Sequence, residues 1–374
     1  MNTTSHKRDV FILLSVIALM LFSIAALYSA SSYYAMQTKG SAEYFAKTHI
    51  PKVIFAIILI FMTAKVDYHL YSKYSKHLIW ITIILLVLVL FFGTTKNNAT
   101  RWFQILNFSF QPSDLAKYTL IIHLSHLLAK KKDYVHLFYK GYLPLLFYII
   151  LVTLLIALQP NLSTAIIIFC TSFALLYISN VKLKHLIITF LIFIPLLIAF
   201  ISTKEYAVNR IMSYKSYSTN GKTHLQLEQA LIGLGNGGFV GVGPGNSFQK
   251  ELFLPEAYGD FIFAIVGEEY GFVGTAGVVL IFVFLIIRGF KISKSINDDF
   301  GKYLSFGITL IISAYVFVNS AVATGILPVT GVPMPFISYG GTALIINSVG
   351  IGILLNISSQ YNKQIKENSI LKEE

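Results

Sequence analysis

The chain has 374 residues, 55% of them hydrophobic and only 12% charged, with a mean hydropathy of +0.69. A soluble domain carries about 25% charged residues, so this composition excludes an ordinary soluble enzyme and describes a polytopic membrane protein. The lone Cys170 excludes a disulfide framework, and the net charge of +12 reads as basic loops on one side of a membrane rather than as a nucleic-acid surface.

Apolar runs follow one another at 10–30, 46–64, 77–93, 113–129, 141–158, 161–179, 183–202, 261–287, 303–324 and 342–358. Most approach the roughly 20 residues that a spanning helix needs. They predict an all-α integral membrane protein of about ten transmembrane helices, with a long extracytoplasmic loop, about 203–260, between helices 7 and 8. The first run follows Lys7 and Arg8 and is longer than a signal-peptide core, so it reads as an uncleaved span. The whole chain, 1–374, reads as one polytopic domain ending in a cytoplasmic tail at about 360–374.

Lysine and arginine set the orientation. With the N-terminus inside, the inner segments hold Lys7, Arg8, Lys65, Lys73, Lys76, the Lys130–Lys132 run, Lys140, Lys182, Lys184, Arg288, Lys291, Lys294, Lys302 and the lysines of the tail. The short outer loops hold only Lys39, Lys47, Lys52, Lys96 and Arg101. Both termini are therefore expected in the cytoplasm. On that map four polar or Pro/Gly-rich stretches share the outer side: TRWFQILNFSFQPSDLAK at 100–117, LQPNLSTA at 158–165, LPEAYGD at the end of the long loop, and LPVTGVPMPFISYGGT at 327–342. Polar loops gathered on one face of a bundle predict a site there.

Asp114 and Lys117 are three residues apart at a helix start, about 5–6 Å apart at Cβ. Pro112 suits the first turn, and Ser113 or Asp114 can cap it. The pair reads either as a cap with an ion pair that admits Lys117 to the bilayer, or as functional charge, since a charge in the membrane costs roughly 2.5–3.5 kcal/mol on insertion scales. Arg101 beside Trp102 reads as an interfacial anchor or as a fork for an anionic group. Asp260 opens a span and reads as an N-cap or a site residue, with Glu256 four residues earlier in the loop. Glu268 and Glu269 lie about two turns deeper at differing angles, so they are not expected to serve one site together, and both are assigned to bundle structure.

Several motifs carry less. GLGNGGFVGVGPGNS at 233–247 lacks the GK[ST] ending of a phosphate loop and reads as a flexible or re-entrant loop. His123 and His126 sit in mid-span with no nearby carboxylate and read as packing or hydrogen bonding rather than metal. Nothing resembles a Ser-His-Asp arrangement or a dinucleotide fingerprint, so no nucleotide cofactor is expected.

RWF…FQPSDLAK, LQPNLSTA, the LPEA–GDFIFAIVGEEYGFVG block and LPVTGVPMPFISYGG together resemble the FtsW/RodA/SpoVE (SEDS) family, with GVGPGNSFQKELFLPEA and VGEE leaning to the FtsW branch. The resemblance implies a peptidoglycan glycosyltransferase that polymerises lipid II at the outer face of the bacterial cytoplasmic membrane, in division or in elongation. It implies as partners a class B penicillin-binding protein and other divisome or elongasome membrane proteins. The family's essential acid corresponds to Asp260, although its usual His-Thr-Asp is Tyr258-Gly259-Asp260 here. The acid and base of its QPSELAK motif correspond to Asp114 and Lys117, and the acid of its QPD or EPD motif is Asn161 here.

On this resemblance Asp260 is the expected general base, taking the proton of the acceptor hydroxyl. Arg101 and Lys117, with a divalent cation such as Mg2+ or Mn2+, are expected at the leaving pyrophosphate. Asp114 would orient Lys117 or hold that cation. Glu256, Asn161 and Ser338 complete the substrate-binding candidates, and Trp102, Phe103 and Tyr339 could hold the lipid at the interface. An α-linked donor and a β-linked product fit one inverting displacement. The rival readings are a flippase for lipid-linked precursors, which should carry polar groups through to the inner face, and a scaffold without activity.

Overall fold

The structure, a computed structural model, describes residues 9–96, 99–105, 108–220, 225–252, 254 and 257–370. Thirteen α-helices and three short strands are found among them. Helices α1 (Val10–Lys39), α2 (Tyr44–Thr63) and α3 (His69–Phe92) come first, then strands β1 (Thr94–Lys96), β2 (Ala99–Ile105) and β3 (Phe108–Phe110). Next are α4 (Pro112–Lys130), α5 (Leu143–Leu158, entered through a π-turn at Phe138–Tyr142), α6 (Leu162–Tyr177) and α7 (Leu183–Ser202). The remainder is α8 (Glu205–Asn220), α9 (Leu225–Gly237), α10 (Gln249–Leu252), α11 (Ile262–Ser295), α12 (Asp299–Ala323) and α13 (Gly341–Ile370).

All ten apolar runs fall on helices, and eight of these helices are long and apolar enough to cross a membrane. The other two, α4 and α6, connect the same two ends of the bundle. At one end Asn161 at the start of α6 meets Ser113 at the start of α4. At the other end Lys132, just past α4, pairs with Asp299 at 3.3 Å, and His185, in the first turn of α7 that follows α6, meets Phe138 edge to face. α6 has only 16 residues. α4 carries Asp114, Lys117, His123 and His126, which lower its hydropathy, and it tolerates them because protein covers nearly its whole circumference. The chain is a multi-pass, all-α membrane protein.

The core lies between α4, α12 and α13, with α1, α2, α3, α6 and α11 around them. α1 starts on Asp9, whose carboxylate accepts from Phe11 N and Ile12 N and also from Arg288 of α11, at 2.9 and 2.6 Å. This joins the first helix to the eleventh.

Two loop expectations are corrected. The loop between α3 and α4 is a three-stranded antiparallel sheet in the order β1-β2-β3, with Thr94 opposite Trp102 and Phe103 opposite Phe110. The segment 203–260, expected as a loop, holds α8, α9 and α10.

The glycine-rich stretch, expected as a flexible or re-entrant loop, finishes α9 and packs into a break in α11. α11 breaks at Gly271, whose φ of 63° and ψ of −160° lie outside the helical region and are open to glycine. Residues 238–243 fill the break. Val242 N and Gly243 N donate to Glu268 O and Glu269 O, and Phe272 N and Val273 N donate to Gly238 O and Phe239 O, all at 3.0–3.1 Å. The backbone groups freed by the break are thereby paired, as a membrane setting demands.

Glu268 and Glu269 are structural, as expected, but they act together. Glu268 accepts from Ser247 Oγ and from the backbone N–H of Phe248 and Gln249. Glu269 accepts from Lys250 Nζ at 3.0 Å and from Ser29 Oγ at 2.5 Å. Their different angles on the helix do not separate them, because residues 247–250 cross over that face and meet both carboxylates.

A candidate active site at one end of the bundle

The four motif stretches converge at the end of the bundle where α4 begins. β2 presents Arg101, whose Nε donates to Gln159 O at 3.0 Å and whose Nη2 donates to Pro160 O. Arg101 thus clamps the turn between α5 and α6. In that turn Gln159 is fully buried and donates to Leu86 O at 3.0 Å. One residue on, Asn161 Nδ2 donates to Ser113 Oγ at 3.3 Å. The LQPN turn therefore links Arg101 to the start of α4.

Asp260 faces the same space. It is half-buried and lies one residue before the N-cap of α11, which is Phe261. The N-cap position expected for it belongs to its neighbour. Asn319 of α12 fixes the backbone here: its Nδ2 donates at 2.8 Å to Asp260 O and at 2.8 Å to Val332 O. This joins the LPEAYGD turn to the LPVTGVPMPF turn. A Cβ built on Gly331 would lie 3.3 Å from Asp260 Oδ2, so this glycine stands directly against the carboxylate. Its φ of 71° is a second reason for glycine at this position.

A second guanidinium completes the cluster. Arg210 of α8 donates to Thr330 O at 3.3 Å, beside Gly331, and lies over the ring of Tyr206 at 5.9 Å. Burial, and then the like charge of Arg210, hold the Arg101 guanidinium down to about 10, against the pull of Tyr206 and Asp260. Arg101 stays charged at neutral pH, but it carries unsatisfied affinity for an anion. One carboxylate beside two guanidiniums can accept a proton from a hydroxyl and hold a phosphate group nearby.

The remaining candidates are placed differently. Asp114 and Lys117 form a 3.0 Å ion pair whose side chains are 10% and 1% exposed, with Lys117 Nζ 4.5 Å from the centre of the Tyr315 ring. Neither Ser113 nor Asp114 caps α4: the N-cap is Gln111, and Ser113 Oγ accepts from Gln111 Nε2 and Asn161 Nδ2. The pair sits inside the bundle, one residue from the Ser113–Asn161 contact that links the start of α4 to the turn clamped by Arg101. Ser338 Oγ accepts from Met334 N at 2.8 Å and closes the MPFIS turn. Tyr339 meets Phe45 and Tyr258 edge to face, and Lys52 Nζ donates to its hydroxyl at 3.1 Å. Glu256 lies outside the described residues.

Among the described residues no group of three or more His, Cys, Asp or Glu side chains could hold a metal ion. The Asp114 carboxylate expected to hold one is occupied by Lys117. The described side chains at Asp114 therefore do not by themselves make up the donor set of a resident divalent cation.

Arg210, Asn319 and Tyr206 were outside the expected site, and Gly331 lay in one of its stretches without being singled out. Asn319 had a signal, a lone amide within an apolar span, which ordinarily marks a required hydrogen bond. Arg210 was one basic residue among several in 203–260, and nothing in the spacing tied it to Asp260.

A family model described as a cell cycle protein, for FtsW, RodA and SpoVE, matches residues 9–363. A probable peptidoglycan glycosyltransferase FtsW from Geobacter sulfurreducens is 33% identical over 358 residues, 95% of this chain and 96% of its own length. The stage V sporulation protein E of Bacillus subtilis is 34% identical over 360 residues, 95% and 98% of the two chains. A chain from a structure on the coordination of polymerization and crosslinking by a peptidoglycan synthase complex superposes with a TM-score of 0.79 at 22% identity, covering 95% of this chain and 98% of its own. The rod shape determining protein RodA of Thermus thermophilus superposes with a TM-score of 0.70 at 23% identity, covering 96% and 98%. With a family match that runs nearly end to end and relatives of like length, the chain belongs to the FtsW/RodA/SpoVE family.

Proposed function

We propose that the chain is a peptidoglycan glycosyltransferase that polymerises lipid II into glycan strands at the outer face of the bacterial cytoplasmic membrane, with both termini inside. The observation that carries this reading is the meeting of Asp260 with Arg101 and Arg210 around Gly331 at one end of a membrane bundle. Relatives named as probable peptidoglycan glycosyltransferases support the activity. The site lies opposite the end that carries Lys132, Lys182 and Lys184, which supports an outward-facing centre.

In this reading Asp260 takes the proton from the acceptor hydroxyl as its oxygen attacks the anomeric carbon of the donor. The bond from that carbon to the pyrophosphate breaks with inversion, and Arg101 and Arg210 receive the departing negative charge. Arg101 is held in place by two carbonyls of the 159–160 turn, so little ordering remains at the moment of reaction. Lys117 is a positioning residue: its pair with Asp114 holds the start of α4, from which Ser113 meets Asn161. No step runs through a cation at Asp114. Any effect of Mg2+ or Mn2+ is proposed to act on the pyrophosphate of the substrate.

The partner proposed is a class B penicillin-binding protein that crosslinks the strands, within the division or elongation machinery. The likeness to a chain of a peptidoglycan synthase complex supports it. The test is purified protein, alone and with that partner, incubated with lipid II and analysed for glycan chains. Orientation is tested separately: single cysteines at Ser218 and Lys131, in a Cys170→Ala background, should label from outside and from inside respectively. The reverse pattern would remove the site from its substrate.

A further inference from the structure

The groove between α6 and α7 has no part in the chemistry above. Its volume is about 520 Å3, and Cys170, Phe173, Tyr177, Leu186, Phe190 and Ile194 are among its walls. From Cys170 to Tyr177 along α6 is about 10 Å, and from Leu183 to Ile194 along α7 about 16 Å, at 1.5 Å per residue. That is about half of a hydrocarbon core of ~30 Å, the depth of one leaflet. Phe173 meets Phe190 edge to face at 4.8 Å within its walls, and beside its deep end, next to Cys170 and Ile194, Phe169 stacks on Phe193 with centroids 3.8 Å apart. α7 is otherwise poorly covered, and Leu186 is its one fully buried residue.

The open end has a different chemistry. The turn from α6 to α7 carries exposed Lys182 and Lys184, and exposed Tyr177 stands on the groove wall beside it. Among the described residues neither lysine has a carboxylate within 4.0 Å. The facing turn joins this end through the Phe138–His185 contact and adds Lys131, Lys132 and Lys140 against one acid, Asp133. Lys132 is taken by Asp299. An apolar slot one leaflet deep, with free cations at its mouth, matches an acyl chain that ends at the bilayer centre under an anionic headgroup.

We propose that this groove seats one acyl chain of an anionic phospholipid, with the phosphate held by Lys182 and Lys184. The lipid comes from the leaflet at the Lys182 end, the cytoplasmic one in the orientation proposed above. The site is independent of the transferase reading, and a symmetric bilayer makes its test independent of orientation as well.

The native Cys170, exposed in the groove, reports occupancy. The full chain is reconstituted in nanodiscs of phosphatidylcholine alone or with phosphatidylglycerol, and the rate of Cys170 alkylation by N-ethylmaleimide is followed by intact-protein mass. Phosphatidylglycerol is expected to slow alkylation about tenfold, the protection given when ligand exceeds its Kd by about ten. Lys182→Gln and Lys184→Gln should each weaken the preference roughly fivefold. Ala174→Trp, which fills the groove, should slow alkylation in both lipids and so confirms what Cys170 reads. Equal rates in the two lipids, or protection that survives in the double lysine variant, would overturn the proposal. So would slow alkylation in both lipids that Ala174→Trp does not change, because the groove would then be covered by protein.

Discussion

Asn319→Ala separates the positioning of the site from the stability of the fold. Asn319 is buried, and its one amide nitrogen donates at 2.8 Å to Asp260 O and at 2.8 Å to Val332 O. Side-chain hydrogen bonds within a membrane protein average about 0.6 kcal/mol, with a maximum near 1.7. Two lost bonds therefore cost about 1–3 kcal/mol, which a protein of ordinary stability survives. The effect on rate should be larger. Asp260 and the turn carrying Gly331 and Thr330 would no longer be fixed to each other, and a displacement of about 1 Å can cost about 10²-fold. Asn356→Ala is the control. It also removes two buried bonds, from Tyr68 N and to Ala64 O at 3.0 Å each, together with a part-buried one from Gln360 Nε2 at 3.2 Å, but at the opposite end of the bundle. Both variants are purified, their thermal midpoints compared, and their polymerisation of lipid II timed. The expected result is a similar loss of stability in both, and a rate loss of about 10²-fold in Asn319→Ala alone. Equal rates in the two variants would refute the idea that Asn319 positions Asp260.

Three further outcomes are expected. Lys117→Met leaves Asp114 buried without its cation and should destabilise by about 3–5 kcal/mol, whereas Lys117→Met with Asp114→Asn should recover most of the stability and the activity, because the pair acts through structure; a double variant that is stable but inactive would give Lys117 a direct role in the chemistry. Gly331→Ala places a methyl 3.3 Å from Asp260 Oδ2 at a φ of 71°, and should cost about 1–2 kcal/mol in thermal unfolding and lower the polymerisation rate with little change in KM. Arg101 titrates near 10, below the ordinary arginine range, so the folded state carries the full cost of its charge below pH 10 and loses that cost only as pH rises beyond it. An anion placed between Arg101 and Arg210 should offset that cost. Inorganic pyrophosphate at pH 7 is therefore expected to raise the thermal midpoint, and Arg210→Gln to abolish the rise.

The membrane class and the helices were legible because apolar runs of bilayer length have few alternatives. The end of the bundle where the candidate cluster gathers was legible for a similar reason: four polar stretches fell on one side of the charge map, and Arg101, Asp260 and Gly331 come from three of them. The sheet at 94–110 was not legible, since its strands are short and their hydrogen bonds run between segments rather than within one. The helices of 203–260 were obscured by glycines that read as loop but fill the break at Gly271. Arg210 could not be found because its partner surface, the 330–331 turn, lies 120 residues away in sequence. Lys117 was assigned to the leaving group on family resemblance; its burial against Asp114 and Tyr315 is what the positioning role proposed above rests on, and the double variant decides between the two.

Asp260→Asn tests the central claim most directly. The side chain keeps its size and one carbonyl oxygen but loses its charge and its ability to take a proton. The N-cap of α11 is Phe261, so helix capping gives no separate reason for the variant to fail. The measurement is the rate of glycan polymer formation from lipid II by the purified, membrane-inserted variant together with its penicillin-binding partner. Loss of a general base costs about 10²–10⁴ in rate, so a folded protein that still binds its partner and makes no detectable polymer is the expected result. Polymerisation near the parent rate would contradict the account, because Asp260 could then not be the base.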